Sequence, residues 1–220
     1  EILSEGGNLF IYGQAETWKS WIALDMAFAL GSGSPWICFQ TVTSRTYILQ
    51  TEQSEAMYDR RIHIWSRGMN GTKPLDNLFV STDLTIKLDD FYGAGQVEAA
   101  IKLHNPKVLI LDNVFHIITG SESDDTSVKK FLTNIDSWRQ RFGLAIVLVH
   151  HPRKGSREEE GDRGFEELSG SSLWNRWADT IVKTKHSSRG ANFIELEFQK
   201  MKNAEEVRLN TIVLKRPPPS

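Results

Sequence analysis

The chain has 220 residues, 40% hydrophobic and 25% charged, with 26 basic against 28 acidic side chains for a net charge of −2. This length and composition bury a core without disulfide or metal staples, and the near-neutral balance excludes a bulk electrostatic nucleic-acid binder, so any such surface must be local. One cysteine, Cys38, excludes an internal disulfide and suits a reducing cytosol.

The first predicted element is a buried strand over the apolar run Leu9-Phe10-Ile11-Tyr12, after which the chain turns at Gly13. From Lys19-Ser20 onward, Ile22, Ala23, Met26, Ala27 and Leu30 recur at helical spacing until Gly31 and Gly33 stop the pattern. A strand, a tight loop and a helix opening at Lys-Ser form the layout of a phosphate-binding loop. Backbone N–H groups of the turn and helix N-terminus converge on an anion, the Lys reaches the outer phosphates, and the Ser hydroxyl ligates magnesium. Gly13, Gln14, Ala15, Glu16, Thr17, Trp18, Lys19 and Ser20 are therefore the expected nucleotide-binding residues, with ATP and Mg2+ as ligands and Ser20 on the metal. The common pattern has Gly where this chain has Trp18; an indole cannot point into the phosphates, so it is expected outward, over the nucleotide or against a neighbour. A solvated Lys-Ser at a helix start is the rival reading; the strand before and the acids after favour the nucleotide.

Residues 36–43 read as a loop, with Cys38 a small buried hydrophobe. Residues 45–50 are β-rich, and Thr51-Glu52-Gln53-Ser54 leads into a helix expected over Glu55–Gly68, with Met57, Ile62, Ile64 and Trp65 as its apolar set. Glu52 stands just beyond the C-terminal end of a strand, the edge that faces the ligand in open parallel sheets. A carboxylate there can accept a proton from, or orient, a water attacking the γ-phosphate; the alternative is an acid that complements a helix dipole. Residues 78–80 and 84–88 read as strands, and residues 95–104 as a helix ended by Asn105-Pro106. Residues 107–112 form an apolar strand buried on both faces and finishing in Asp112. Asp112 either holds the magnesium shell, through water or the Ser20 hydroxyl, or caps the next turn. Residues 121–125 supply an N-cap for a helix reaching Arg141 that buries Val128, Phe131, Leu132, Ile135 and Trp138 as one face.

Residues 144–149 form another buried strand, ending in His150-His151. A polar group there sits near the γ-phosphate as a sensor of hydrolysis; His150 is preferred over His151, and a structural role is the alternative. The glycine-rich, charged stretch 155–172 fits a ligand-responsive loop. Arg153, Lys154, Arg157 and Arg163 are candidates for DNA phosphate contacts, against solvated loop charge shared with six neighbouring acids. Strands are expected over 180–184, 193–198 and 207–213, with a hairpin turn over 187–190. In the turn over 199–205, Lys200 and Lys202 point the same way, as surface cations or as groups reaching the nucleotide of an adjacent subunit. One domain over 1–214 with a flexible Pro-rich tail over 215–220 is expected, and the chain starts without Met, as an excised domain would. No apolar run approaches the roughly 18 residues of a membrane span and no signal peptide is evident, so a cytoplasmic location without a membrane partner is expected.

Taken in order, GQAETWKS with WIALDMAFAL, then ILQTEQSEAMYDRRI, VLILD, IVLVHHPRK, FEELSGSSLWNRWADTIV and FQKMKNAEE resemble the RecA-like ATPases. Within them the chain is similar to the plasmid RepA-type hexameric helicase branch found in phages and mobile elements. The resemblance implies an α/β RecA-like core, a mainly parallel twisted sheet flanked by helices with an antiparallel C-terminal extension. It implies ATP and Mg2+, self-association as a ring (hexamer) or filament with the active site between subunits, and single-stranded DNA as partner. Lys19 and Ser20 take the Walker A positions, Glu52 the catalytic carboxylate, Asp112 the Walker B acid, His150 the sensor, and Lys200 and Lys202 the trans-acting fingers. At the finger an Arg is commoner than Lys202, and the substitution loses the bidentate fork. The implied function is a replicative helicase core; a recombination or annealing ATPase and a nucleotide-binding regulator with little turnover are the alternatives.

Overall fold

A computed structural model describes residues 1–13, 15–68, 76–121, 123–150, 172–202 and 211–215. The chain begins with β1 (Asn8–Gly13), α1 (Lys19–Ser32), β2 (Thr46–Gln50), α2 (Glu55–Gly68) and β3 (Leu78–Thr82). It continues with α3 (Phe91–His104), β4 (Val108–Asp112), α4 (Val114–Ile117), α5 (Asp125–Phe142) and β5 (Ala145–His150). It ends, among the described residues, with α6 (Ser172–Trp177), β6 (Thr180–His186), β7 (Phe193–Met201) and β8 (Thr211–Lys215). The described strands make one sheet in the order β3-β2-β4-β5-β1-β6-β7-β8. Pairing is parallel from β3 to β6 and antiparallel through β6-β7-β8.

Period-two alternation sends neighbouring side chains of each central strand into different cores. Phe10 and Tyr12 of β1, with Tyr47, Leu49, Leu109 and Leu111, pack against the α3, α5 and α6 side. Leu9, Ile11, Ile48, Ile110 and Val147 pack against α1, with Tyr58 of α2. Val128, Phe131, Leu132, Ile135 and Trp138 are buried as the helical spacing of α5 requires. Asp124 starts that helix by accepting from Ser127 N at 2.8 Å.

Several elements depart from the sequence expectation for local reasons. Residues 84–88 are not a strand: Asp83 Oδ1 accepts from the backbone N–H of Thr85 (2.8 Å) and Ile86 (3.1 Å), diverting donors that a ladder would use. Helix α3 begins at Phe91 rather than Gly95, because Asp90 caps Tyr92 N and Gly93 N. Gly93 and Gly95 weaken the helical signal of that first turn, yet a Cβ on Gly93 would meet the Lys87 carbonyl at 2.1 Å. Met57 and Ile64 are exposed; α2 packs inward through buried Tyr58 with Ile62 and Trp65 half-buried beside it. Cys38 is exposed, not buried. Strand β7 runs through Lys200 to Met201, so the expected turn over 199–205 starts later. Of the last strand, Thr211–Lys215 is described, and Lys215 belongs to it rather than to a tail. No helix among the described residues is long and apolar enough to cross a membrane.

Candidate nucleotide-binding site

Parallel register lines up five strands toward their carboxyl ends: Gln50 pairs with Asp112, Asp112 with Val149, Tyr12 with His150, and Gly13 with Thr184 across β1-β6. Each functional loop therefore leaves the sheet at the same edge, the edge where open α/β sheets bind ligands. Gly13 is required by close approach: a Cβ there would lie 2.1 Å from the Thr184 carbonyl oxygen. Thr17 is fully buried and its hydroxyl lies 2.5 Å from that of Thr184, which fastens the loop to β6. Glu16 and Trp18 both take left-handed backbone, with φ of 62° and 61°. Trp18 thus adopts the conformation that explains Gly in the common pattern. Its carbonyl accepts from Ile22 N at 2.9 Å, it offers α1 no side-chain cap, and the half-buried indole packs against the α1 core.

Lys19 is 2% exposed and donates to Thr17 Oγ1 at 3.4 Å. Burial lowers its pKa to about 8, while the Asp112 and Glu52 carboxylates pull the other way. A cation kept out of water beside two acids at the start of a helix is suited to an anionic ligand. Ser20 Oγ donates to Asp112 Oδ1 at 3.1 Å. A hydroxyl and a carboxylate are the hard oxygen donors that Mg2+ prefers, so the pair fits that ion when a phosphate completes the shell. Burial and, next, the Asp112 charge raise the pKa of Tyr58, keeping its phenol neutral behind this acid.

Glu52 is exposed at the tip of β2, and its Oε2 accepts from Asn113 Nδ2 at 3.1 Å. Lys19 and Ser20 at the start of α1 are thus brought together with Asp112 at the end of β4 and Glu52 beyond the end of β2. His150 is buried with its ring 5.6 Å from Phe10 and 6.1 Å from Trp174, on the α5-α6 side of the sheet. Lys200 Nζ donates to the Asn175 carbonyl at 2.6 Å, and Lys202 Nζ pairs with Asp179 at 3.2 Å. Both lysines therefore bind the α6-β6 segment of their own chain. Gln14, His151, Arg153, Lys154, Arg157 and Arg163 lie outside the described residues. Thr184, Asn113, Gln50 and Tyr58 escaped the sequence reading. Asn113 alone carried a local signal, its place beside Asp112; the others are brought in by strand pairing and helix packing.

Residues 1–157 match a family described as an AAA domain. Among solved structures, a DnaB-like replicative helicase, described with its interactions with primase, superposes with a TM-score of 0.70 at 11% identity. That match covers 97% of this chain and 57% of the helicase, so the chain spans little more than half of that protein. The flagellar accessory protein FlaH from Methanocaldococcus jannaschii matches with a TM-score of 0.63 at 13% identity, covering 97% of this chain and 86% of FlaH. At such identities these likenesses establish a shared RecA-like fold. No curated protein sequence matches the chain.

Proposed function

The chain belongs to the AAA-domain family, and from that premise we propose that it is an ATP-hydrolysing DNA motor, a replicative helicase core of the RepA-like kind found in phages and mobile elements. The observation that carries this reading is the meeting of Lys19, Ser20, Asp112 and Glu52 at one sheet edge. The amides opening α1 and the Lys19 ammonium bind the ATP phosphates and stabilise charge on the transferring group. Glu52 orients the attacking water and takes its proton. Ser20 and Asp112 would hold Mg2+, which when bound supplies charge neutralisation at the phosphates.

The likeness to a DnaB-like helicase supports DNA as the track and a ring or filament as the working form. In that assembly Lys200 and Lys202 leave Asn175 and Asp179 to reach a neighbour's nucleotide, and Arg153, Lys154, Arg157 and Arg163 contact single-stranded DNA. His150 acts as sensor by way of the Phe10 and Trp174 rings it packs against. The test is MgATP hydrolysis with and without single-stranded DNA. The parent is expected to be stimulated by DNA and to unwind a forked duplex. Glu52→Gln is expected to bind MgATP normally and to lose about 100-fold or more in turnover. A Glu52→Gln variant with parental turnover would refute the mechanism; pairing of homologous strands without unwinding would favour a recombination ATPase.

A further inference from the structure

Glu52 is exposed at the end of a long, flexible side chain, and a water-activating carboxylate must keep one orientation through the reaction. Holding a Glu side chain in one rotamer costs conformational entropy, so something rigid has to restrain it. Two neighbours do so. Gln50 is fully buried, and its Oε1 accepts from the backbone N–H of Glu52 and of Gln53, which closes the turn that carries Glu52. Asn113 is 2% exposed and holds the carboxylate itself.

Asn113 is well anchored for this task. Its backbone N–H donates to Thr51 Oγ1 at 3.1 Å, and its carbonyl accepts from the same hydroxyl at 3.1 Å. Thr51 N donates to the Asp112 carbonyl at 2.8 Å, so residues 51–52 are stitched to 112–113. The side-chain amide has a defined direction. Its Oδ1 accepts from His116 N at 3.3 Å, capping α4, and this turns Nδ2 toward Glu52 Oε2. A cap alone needs only the oxygen; the nitrogen serves the carboxylate.

We propose that Asn113 is a positioning residue for ATP hydrolysis, donating to Glu52 so that the carboxylate is presented to the attacking water in one orientation. This rests on the ATPase reading above and deepens it by naming what aims the base. Asn113→Asp separates the two tasks of the side chain. It keeps the shape and the oxygen that caps α4, leaves both backbone contacts to Thr51, and replaces the donor by a group that repels Glu52. The experiment measures kcat and KM for MgATP, MgATP affinity and Tm in the parent, Asn113→Asp, Asn113→Ala and Glu52→Gln. The expected result is a fall in kcat of about 10- to 100-fold for both Asn113 variants, with KM and affinity within about 3-fold of the parent. Combining Asn113→Asp with Glu52→Gln should cost no further activity, because Asn113 acts through Glu52. A parental kcat in Asn113→Asp, with Glu52→Gln impaired, overturns the positioning role and leaves the ATPase intact. Loss of MgATP affinity alongside kcat also overturns it, by pointing to general damage of the site. A parent chain that hydrolyses no MgATP overturns both readings.

Discussion

Lys19 is the most demanding single residue of the site, a cation placed out of water next to two acids that only partly offset the loss of hydration. Its lowered value, about 8, has a consequence for binding. Below that pH the ammonium is already charged, and binding a triphosphate needs no proton. Above it the empty site has lost its proton; the polyanion raises the Lys19 value again, so binding takes up a proton and weakens with rising pH. MgATP affinity should therefore be flat from pH 6 to 7.5 and fall by up to about tenfold per pH unit above about pH 8. Calorimetry in buffers of different ionisation enthalpy checks the proton count directly. That Lys19, Ser20 and Asp112 stand at a helix start and a strand end was legible, because an apolar run or a helical period leads into or out of each. Thr17 and Thr184 were not, since a pair of hydroxyls far apart in sequence announces nothing until β1 and β6 lie side by side.

At the level of elements, the start of α1 shows what Trp18 costs. A left-handed L-residue costs about 1–2 kcal/mol relative to ordinary backbone, and here the indole recovers part of that by packing on the α1 core. Comparing two truncations separates the terms, because both delete the indole and only one keeps a Cβ. Trp18→Gly should be more stable than Trp18→Ala by about 1 kcal/mol, read as midpoint shifts in urea at equal m-value. Equal stabilities would mean that the loop rearranges when the indole is lost. Helix α5 was fully legible, since its apolar residues repeat with a clean helical period and bury accordingly. Helix α3 and residues 84–88 were not: in both, an aspartate takes over nearby backbone donors, and hydropathy patterns do not register such local competition.

For the molecule as a whole, the proposed assembly makes a sharp forecast. If Lys200 and Lys202 serve a neighbour's nucleotide while Glu52 serves the subunit's own, each half of the site can be lost in a different chain. Glu52→Gln alone and Lys200→Ala combined with Lys202→Ala should both be nearly inactive. Mixing the two should restore turnover, because some interfaces then pair an intact Glu52 with intact lysines. Activity no higher than the sum of the separate proteins would show that the lysines stay with Asn175 and Asp179. The specific rate of the parent should also rise with protein concentration as subunits associate.

The sequence by itself determined the alternation of strands and helices, the parallel core and the Lys-Ser, Glu and Asp set at the strand ends. Those depend on periodicity and on residues whose chemistry is local to a few positions. Tertiary structure decided which strands neighbour one another, and hence that Glu52 meets Asn113, Thr17 meets Thr184, and His150 packs against the Phe10 and Trp174 rings. The physical reason is that strand order is selected by the packing of two buried faces and the crossover helices that cover them, a property of the assembled sheet that no short window of residues contains.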